Sequence, residues 1–268
     1  MMMLSIATLG ARDHKVLMRA TKVSKVYGSG QRLHYGVKET DLNIYAGDFT
    51  VIMGPSGSGK STLLHLLSGL DRVTTGELYF KGQRIDQRSE KELGQFRSRK
   101  MGCVYQAFHL VPDLTILENI LFPAYIAGMR KEAAEKKAHA CMVELGIIGL
   151  QHRYPSQVSG GQQQRTAIAR ALINSPEILF ADEPTGALSQ EQGTRILDIF
   201  TDLNQQGQSI VMVTHDAKAA CRANRLLVVK DGMVDQIVGL GKYEANEQQK
   251  READILSILA SSSQKRCT

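Results

Sequence analysis

The sequence predicts an α/β fold in which a parallel sheet gathers polar residues along one edge. Three observations predict it. The stretch Gly54-Pro55-Ser56-Gly57-Ser58-Gly59-Lys60-Ser61-Thr62 fits the pattern G-x-x-x-x-G-K-S/T without a mismatch, between a strand-like and a helix-like run. Strand-like and helix-like segments then alternate through the second half of the chain. Two of the strand-like runs end in polar residues, Asp182-Glu183 and His215, as strands do at the C-terminal edge of a parallel sheet.

Residues 1–10 are mildly apolar but lack a basic leader and a small-residue cleavage site. They read as a frayed extension, or an over-long start, and not as a signal peptide. Residues 16–26 read as a first strand, ending at the turn-rich Tyr27-Gly28-Ser29-Gly30. Residues 37–44 read as a second strand, and Ala46-Gly47-Asp48 turns it into the apolar, β-prone run 49–53. After the glycine loop, Leu63, Leu66, Leu67 and Leu70 fall at i, i+3, i+4 and i+7 on one helix face, with Gly69 near its end. Residues 76–82 form a short strand bounded by glycines, and 89–100 is charged and helix-prone.

From 107 to about 158 the strand signals disappear. Residues 114–121 and 131–145 read as helices joined by the polar Met129-Arg130-Lys131-Glu132, so a helical subdomain is expected here, inserted into the core. Ser159-Gly160-Gly161-Gln162 then opens a helix as a capping box. Ala167, Ile168, Ala171 and Leu172 give that helix its apolar face, and it stops before Asn174-Ser175-Pro176. Ile178-Leu179-Phe180-Ala181 is a buried strand running into Asp182-Glu183. A helix over 190–204, a turn at Gln206-Gly207 and a strand over 210–214 lead to His215. Residues 226–238, turned at Asp231-Gly232, read as a closing hairpin. The remainder, 239–268, is polar and helix-prone, with a Ser/Lys/Arg-rich end expected to fray.

Strand, glycine loop and helix in that order make a phosphate-binding loop. The glycines let backbone N–H groups turn inward on a polyphosphate, and the helix N-terminus adds partial positive charge. Lys60 is placed to pair with β- and γ-phosphates and the Ser61 hydroxyl to hold Mg²⁺. A nucleoside triphosphate is the expected ligand. The expected fold class is thus α/β: a P-loop NTPase parallel-sheet core with an N-terminal antiparallel β subdomain and an inserted α-helical subdomain.

Composition agrees with a globular protein. The chain has 268 residues, 43% hydrophobic and 22% charged, enough to bury a full core. No apolar run approaches the ~18–20 residues that span a bilayer. The net charge of +6 is scattered, and basic clusters such as Arg97-Ser98-Arg99-Lys100 are short. A solvated surface, or a face near an anionic membrane, is expected in preference to a nucleic-acid partner. Cys103, Cys141, Cys221 and Cys267 show no metal-ligand spacing and read as reduced thiols of a cytosolic protein.

Five further positions carry chemistry, each beside a plainer role. Asp182 stands where Mg²⁺ needs a carboxylate next to Ser61, and Glu183 can orient and deprotonate an attacking water. Acidic pairs at strand ends also serve as helix N-caps. His215 can hydrogen-bond the γ-phosphate and fix the general base, although a lone histidine is more often structural. Gln106 can bridge Mg²⁺ and water, and Tyr27 can stack on an adenine ring; alone, a glutamine carries almost no signal and an aromatic after a strand is usually core.

Taken together these residues match a family. Over about 16–238 the chain resembles the ATP-binding subunit of ABC transporters, through GPSGSGKST (54–62), Gln106, VSGGQQQR (158–165), ILFADEPT (178–185) and His215. The resemblance implies an ATPase domain over 14–238, with the helical subdomain at about 107–158, and a tail over 239–268. It implies ATP and Mg²⁺ as cofactors and assigns Tyr27 to the adenine. Gly54, Ser56, Gly57, Ser58, Gly59, Lys60, Ser61 and Thr62 go to the phosphates. Ser61, Gln106 and Asp182 go to the metal, Glu183 is the base and His215 the switch histidine. Gln106 also links nucleotide to membrane partner. Ser159, Gly160, Gly161 and Gln162 belong to the signature that closes on the γ-phosphate of a second cassette, so one chain holds two incomplete half-sites.

Two positions depart from the family pattern. Gly186-Ala187-Leu188-Ser189 has serine where the family usually has aspartate, and Val158 replaces the usual leucine. Residues 106–123 and the serine resemble the macrolide-export, lipoprotein-release and bacitracin-resistance group. The resemblance implies a homodimer on ATP, a separate transmembrane permease, and a cytoplasmic subunit peripheral on the inner face of the cell membrane. Export or antimicrobial-peptide resistance is the expected task. The alternatives are the motor of an amino-acid importer or a non-transport ABC ATPase.

Overall fold

The computed structural model describes residues 15–28 and 33–264. The expected N-terminal extension, Ser29-Gly30 of the first turn, and the frayed end with Cys267 lie outside the described residues. The first half of the chain runs β1 (Val16–Tyr27), β2 (His34–Tyr45), β3 (Phe49–Met53), α1 (Lys60–Leu67), β4 (Thr75–Phe80), β5 (Gln83–Arg84), α2 (Glu90–Lys100) and β6 (Met101–Tyr105). Three helices follow: α3 (Ile116–Ile126), α4 (Lys131–Glu144) and α5 (Gly160–Leu172). Then come β7 (Ile178–Asp182), α6 (Gln190–Gln205), β8 (Ser209–Val213) and the short α7 (Ala217–Ala220). The hairpin β9 (Arg225–Lys230) and β10 (Met233–Gly239) precedes α8 (Gln248–Gln264).

The architecture is the expected one. A four-stranded antiparallel sheet has the order β2-β1-β4-β5, and a six-stranded sheet the order β10-β9-β3-β8-β7-β6. Within the second, β9, β3, β8, β7 and β6 run parallel and β10 is antiparallel. Both β3 and β8 are buried along their whole length, as strands covered on both faces must be. Side chains alternate between the faces. Phe49, Val51 and Met53 enter a core shared with Ile120 of α3, Ile168 of α5 and Phe200 of α6. Ile52 enters the other core, where α1 packs Leu63, Leu66 and Leu67 against Met18, Ile44 and Phe80 of the antiparallel sheet. Each such fully buried side chain contributes roughly 1.5–3 kcal/mol.

Local signals explain the boundaries and the departures from expectation. Leu70 lies beyond α1 and is 44% exposed. Gly69 takes φ +65 and the Leu70 N–H bonds back to the His65 carbonyl at 2.9 Å, which ends the helix. The capping box at Ser159 forms as expected, and Ser89–Glu92 and Thr115–Glu118 make two more. Helix α3 continues past Leu121 and through Pro123 because Ile120, Leu121 and Ala124 are buried and tertiary packing overrides the proline. The sequence did not reveal β6, where Gly102 interrupts the apolar pattern. A Cβ there would sit 2.6 Å from the Ala171 carbonyl of α5. In the closing hairpin, Asp231 (φ +52) and Gly232 (φ +79) form a primed two-residue turn. The polar tail is anchored: Ile255 of α8 is fully buried, and Arg251 donates to the Ala223 and Lys242 carbonyls at 2.6 Å each.

Candidate nucleotide site

The phosphate loop hangs between β3 and α1 and depends on two glycines. At Gly54 (φ +151) a Cβ would fall 1.9 Å from the Val229 carbonyl, and at Gly59 (φ +98) 2.1 Å from the Gly36 carbonyl. No other residue fits either place. The hairpin turn braces the loop, since the Gly232 N–H donates to the Ser58 carbonyl at 2.9 Å. Ser56 and Gly57 are exposed at the loop's crest, and Thr62 is half-buried in the first turn of α1. Lys60 is 9% exposed and its Nζ donates to the Pro55 carbonyl at 2.7 Å. Burial lowers the pKa of its ammonium, and the carboxylates of Glu183 and Asp182 pull it back up.

Sheet register brings the other side chains to the same edge. Asp182 pairs with Tyr105 of β6 on one side and Val213 of β8 on the other. Its Oδ1 accepts from the Ser61 hydroxyl at 3.2 Å, and its Oδ2 lies 3.8 Å from Nε2 of His65, one turn further along α1. Burial raises the Asp182 pKa, while the Ser61 hydrogen bond and His65 lower it. Glu183 adopts the left-handed backbone (φ +46), held by its own N–H to the Val213 carbonyl at 2.9 Å. That turn sends its carboxylate to His215, with Oε2 2.9 Å from Nδ1. Hard oxygens beside a lysine suit a phosphate-bound Mg²⁺, which needs only one or two protein carboxylates. Among the described residues no cluster of three or more His, Cys, Asp or Glu is placed to hold a metal by itself.

Gln106 and the signature residues stand further off, whereas Tyr27 lies beside Thr62 of the loop. Gln106 is exposed and lies against Gly186, where a Cβ would be 2.8 Å from its Nε2. Tyr27 is 41% exposed at the end of β1, with its hydroxyl donating to Asp71 Oδ2 at 2.8 Å and Lys25 Nζ 5.0 Å from its ring centroid. Burial, then the Asp71 hydrogen bond, raises the Tyr27 pKa. Ser159, Gly160, Gly161 and Gln162 open α5 and make no hydrogen bond to residues 54–62. Around Gly160 the nearest side chains are Leu188 and Phe108. Sequence reasoning missed His65 and Gln164. Gln164 was detectable, because helical spacing sets it on the apolar face of Ala167 and Ile168.

A glycine loop, a strand-end aspartate at its serine and a left-handed glutamate beside a histidine define a P-loop nucleoside triphosphatase. Residues 37–186 match the family described as ABC transporter. The macrolide export ATP-binding/permease protein MacB of Escherichia coli is 42% identical over 220 residues, 82% of this chain. The chain spans only 34% of that relative's length. The bacitracin export ATP-binding protein BceA of Halalkalibacterium halodurans is 41% identical over 219 residues, 81% of this chain and 87% of the relative. A solved dimer of the ATP-binding cassette MJ0796 in a post-hydrolysis state with ADP and Pi is 39% identical, with a TM-score of 0.78 over 85% of this chain and 100% of that one. The chain belongs to the ABC transporter family, as an ATP-binding subunit and ATP hydrolase.

Proposed function

We propose that two copies of the chain pair head-to-tail on ATP and drive a transmembrane permease in export, of the kind that confers resistance to antimicrobial peptides. One observation carries the pairing. Lys60, Ser61, Asp182, Glu183 and His215 converge at the sheet edge, whereas Ser159 and its glycines open α5 without a bond to the phosphate loop. Each chain therefore offers two half-sites, and a second copy supplies the missing half. The solved relative, described as dimeric, supports pairing.

In this reading Tyr27 stacks on the adenine, and residues 54–62 wrap the phosphates with Lys60 as the point charge. Ser61 and Asp182 would hold Mg²⁺, with Gln106, now against Gly186, as a further oxygen ligand. Such an ion, when bound, would offset the negative charge of the triphosphate. Glu183 takes the proton of the attacking water while His215, already at its carboxylate, keeps it aimed at the γ-phosphate. The partner's signature completes charge stabilisation, and the cycle of closing and opening reshapes the permease. Among the described residues no helix is long and apolar enough to cross a membrane, so a separate permease at the inner face of the cell membrane fits. Macrolide and bacitracin export in the relatives' names, and the neutral Ser189, support export.

The test is Glu183→Gln. ATP binding should persist, turnover should fall by roughly 10²–10⁴, and ATP with Mg²⁺ should trap a dimer visible by size-exclusion chromatography. Wild-type turnover in this variant moves the base elsewhere.

A further inference from the structure

Helix α5 carries an amide where its own pattern calls for a hydrocarbon. Gln164 stands one turn before Ala167 and Ile168 on the buried face and is 0% exposed. Its Nε2 donates twice, to the Pro184 carbonyl at 2.6 Å and to the Tyr105 carbonyl at 3.3 Å. Those two acceptors are not arbitrary. Tyr105 ends β6 and directly precedes Gln106; Pro184 directly follows Glu183. Tyr105 and Asp182 form the last pair of the β6–β7 ladder. Beyond it the ladder cannot continue through Pro184, which has no N–H to give. The Gln164 amide supplies the missing donor from a third element and ties the two departing chains together.

We infer that Gln164 is a positioning residue that fixes the Gln106 and Glu183 loops to the signature helix, an inference that rests on the roles proposed above for those two residues. Glu183 needs such support, because a glutamate at φ +46 persists only where its surroundings over-determine it. From the other side, the Glu183 N–H bonds to Val213 and the Gly186 N–H to the Glu183 carbonyl. Gln164 fixes the next carbonyl along. Gln106 rests on Gly186, so the two loops also touch each other. Ser159, at the start of α5, thus moves as one body with both loops when a second copy engages it.

The amide is an unusual choice for stability alone. Its Oε1 is buried and has no hydrogen-bond partner among the described residues, an arrangement that destabilises a fold. Its worth then lies in placement. A displacement of about 1 Å at a reacting group costs up to roughly 10²-fold in rate.

The experiment compares Gln164→Met, which keeps length and volume but donates nothing, with the unchanged protein, and uses Gln164→Leu if the first does not yield soluble protein. ATP should bind with unchanged stoichiometry and a Kd within about threefold by calorimetry, because Lys60 and the loop are untouched. The kcat should fall by about 10- to 100-fold with KM for ATP nearly constant. Combined with Gln106→Ala, the loss should be no greater than that of the worse single variant, since both act through one junction. The inference is overturned by a kcat within twofold of wild type, by a binding stoichiometry that falls in step with kcat, or by losses that multiply in the double variant. Glu183→Gln run alongside separates the two failures. Undiminished turnover there overturns the site reading and this inference with it, whereas slow Glu183→Gln beside fast Gln164→Met overturns this inference alone.

Discussion

Lys60 shows what a single residue contributes before any ligand arrives. The residue is 9% exposed, burial lowers the pKa of its ammonium while two carboxylates raise it, and its hydrogen bond is to the Pro55 carbonyl of its own loop. A triphosphate offers far stronger charge-assisted hydrogen bonds than that carbonyl. Lys60→Ala should therefore weaken ATP binding by at least about 10²-fold, and calorimetry showing binding within a few-fold of wild type would remove the proposed role. At this scale the sequence was informative wherever a motif names side chains directly. Ser61 and Asp182 are 121 residues apart yet meet at 3.2 Å, and both follow from the two motifs. His65 and Gln164 were not anticipated. Their roles arise from which strands are neighbours, and a periodicity in one segment does not encode the segment it will face.

Elements were legible where capping or turn chemistry is local, and obscure where distant packing decides. The Ser159 box and the Asp231-Gly232 turn follow from residues adjacent in the chain. The run of α3 through Pro123, the strand β6 beside α5 and the docking of α8 depend on contacts with remote segments. Ser189 belongs to the local kind: it is the N-cap of α6, its hydroxyl accepting from the Gln192 N–H at 3.5 Å. Aspartate caps as well as serine, and its charge suits the helix N-terminus. Ser189→Asp should thus leave ATPase activity within tenfold and thermal stability equal or slightly higher. Complete loss of activity would assign the serine hydroxyl a duty at the dimer contact. Arg251→Met tests the tail. With the Ala223 and Lys242 carbonyls stripped of their donor, unfolding free energy should drop by about 2–4 kcal/mol, seen as a lower denaturant midpoint. An unchanged midpoint would mean that the Arg251 hydrogen bonds add nothing to the docking of α8.

At the scale of the whole molecule, the proposed coupling to a permease requires a grip, and the grip should lie where nucleotide state is felt. Gln106 is the proposed sensor, and the residues after it are tied to α5. Phe108 (φ +58) and His109 (φ +49) are both left-handed, and one guanidinium, that of Arg170 on α5, binds both their carbonyls. Phe108 and Leu110 are half-buried, with the Phe108 ring near Gly160 of the signature and Leu110 against the core. Packing alone accounts for Leu110, so stability must be followed together with coupling. Aspartate tolerates the left-handed backbone at 108 better than phenylalanine, so the charge enters there without added strain. An apolar docking surface, by contrast, does not tolerate charge at its centre. Phe108→Asp with Leu110→Asp should accordingly leave the purified subunit folded by circular dichroism and active toward ATP. The same variant should no longer co-purify with its permease from membranes. A folded double variant that co-purifies normally would place the contact on another face of the helical region.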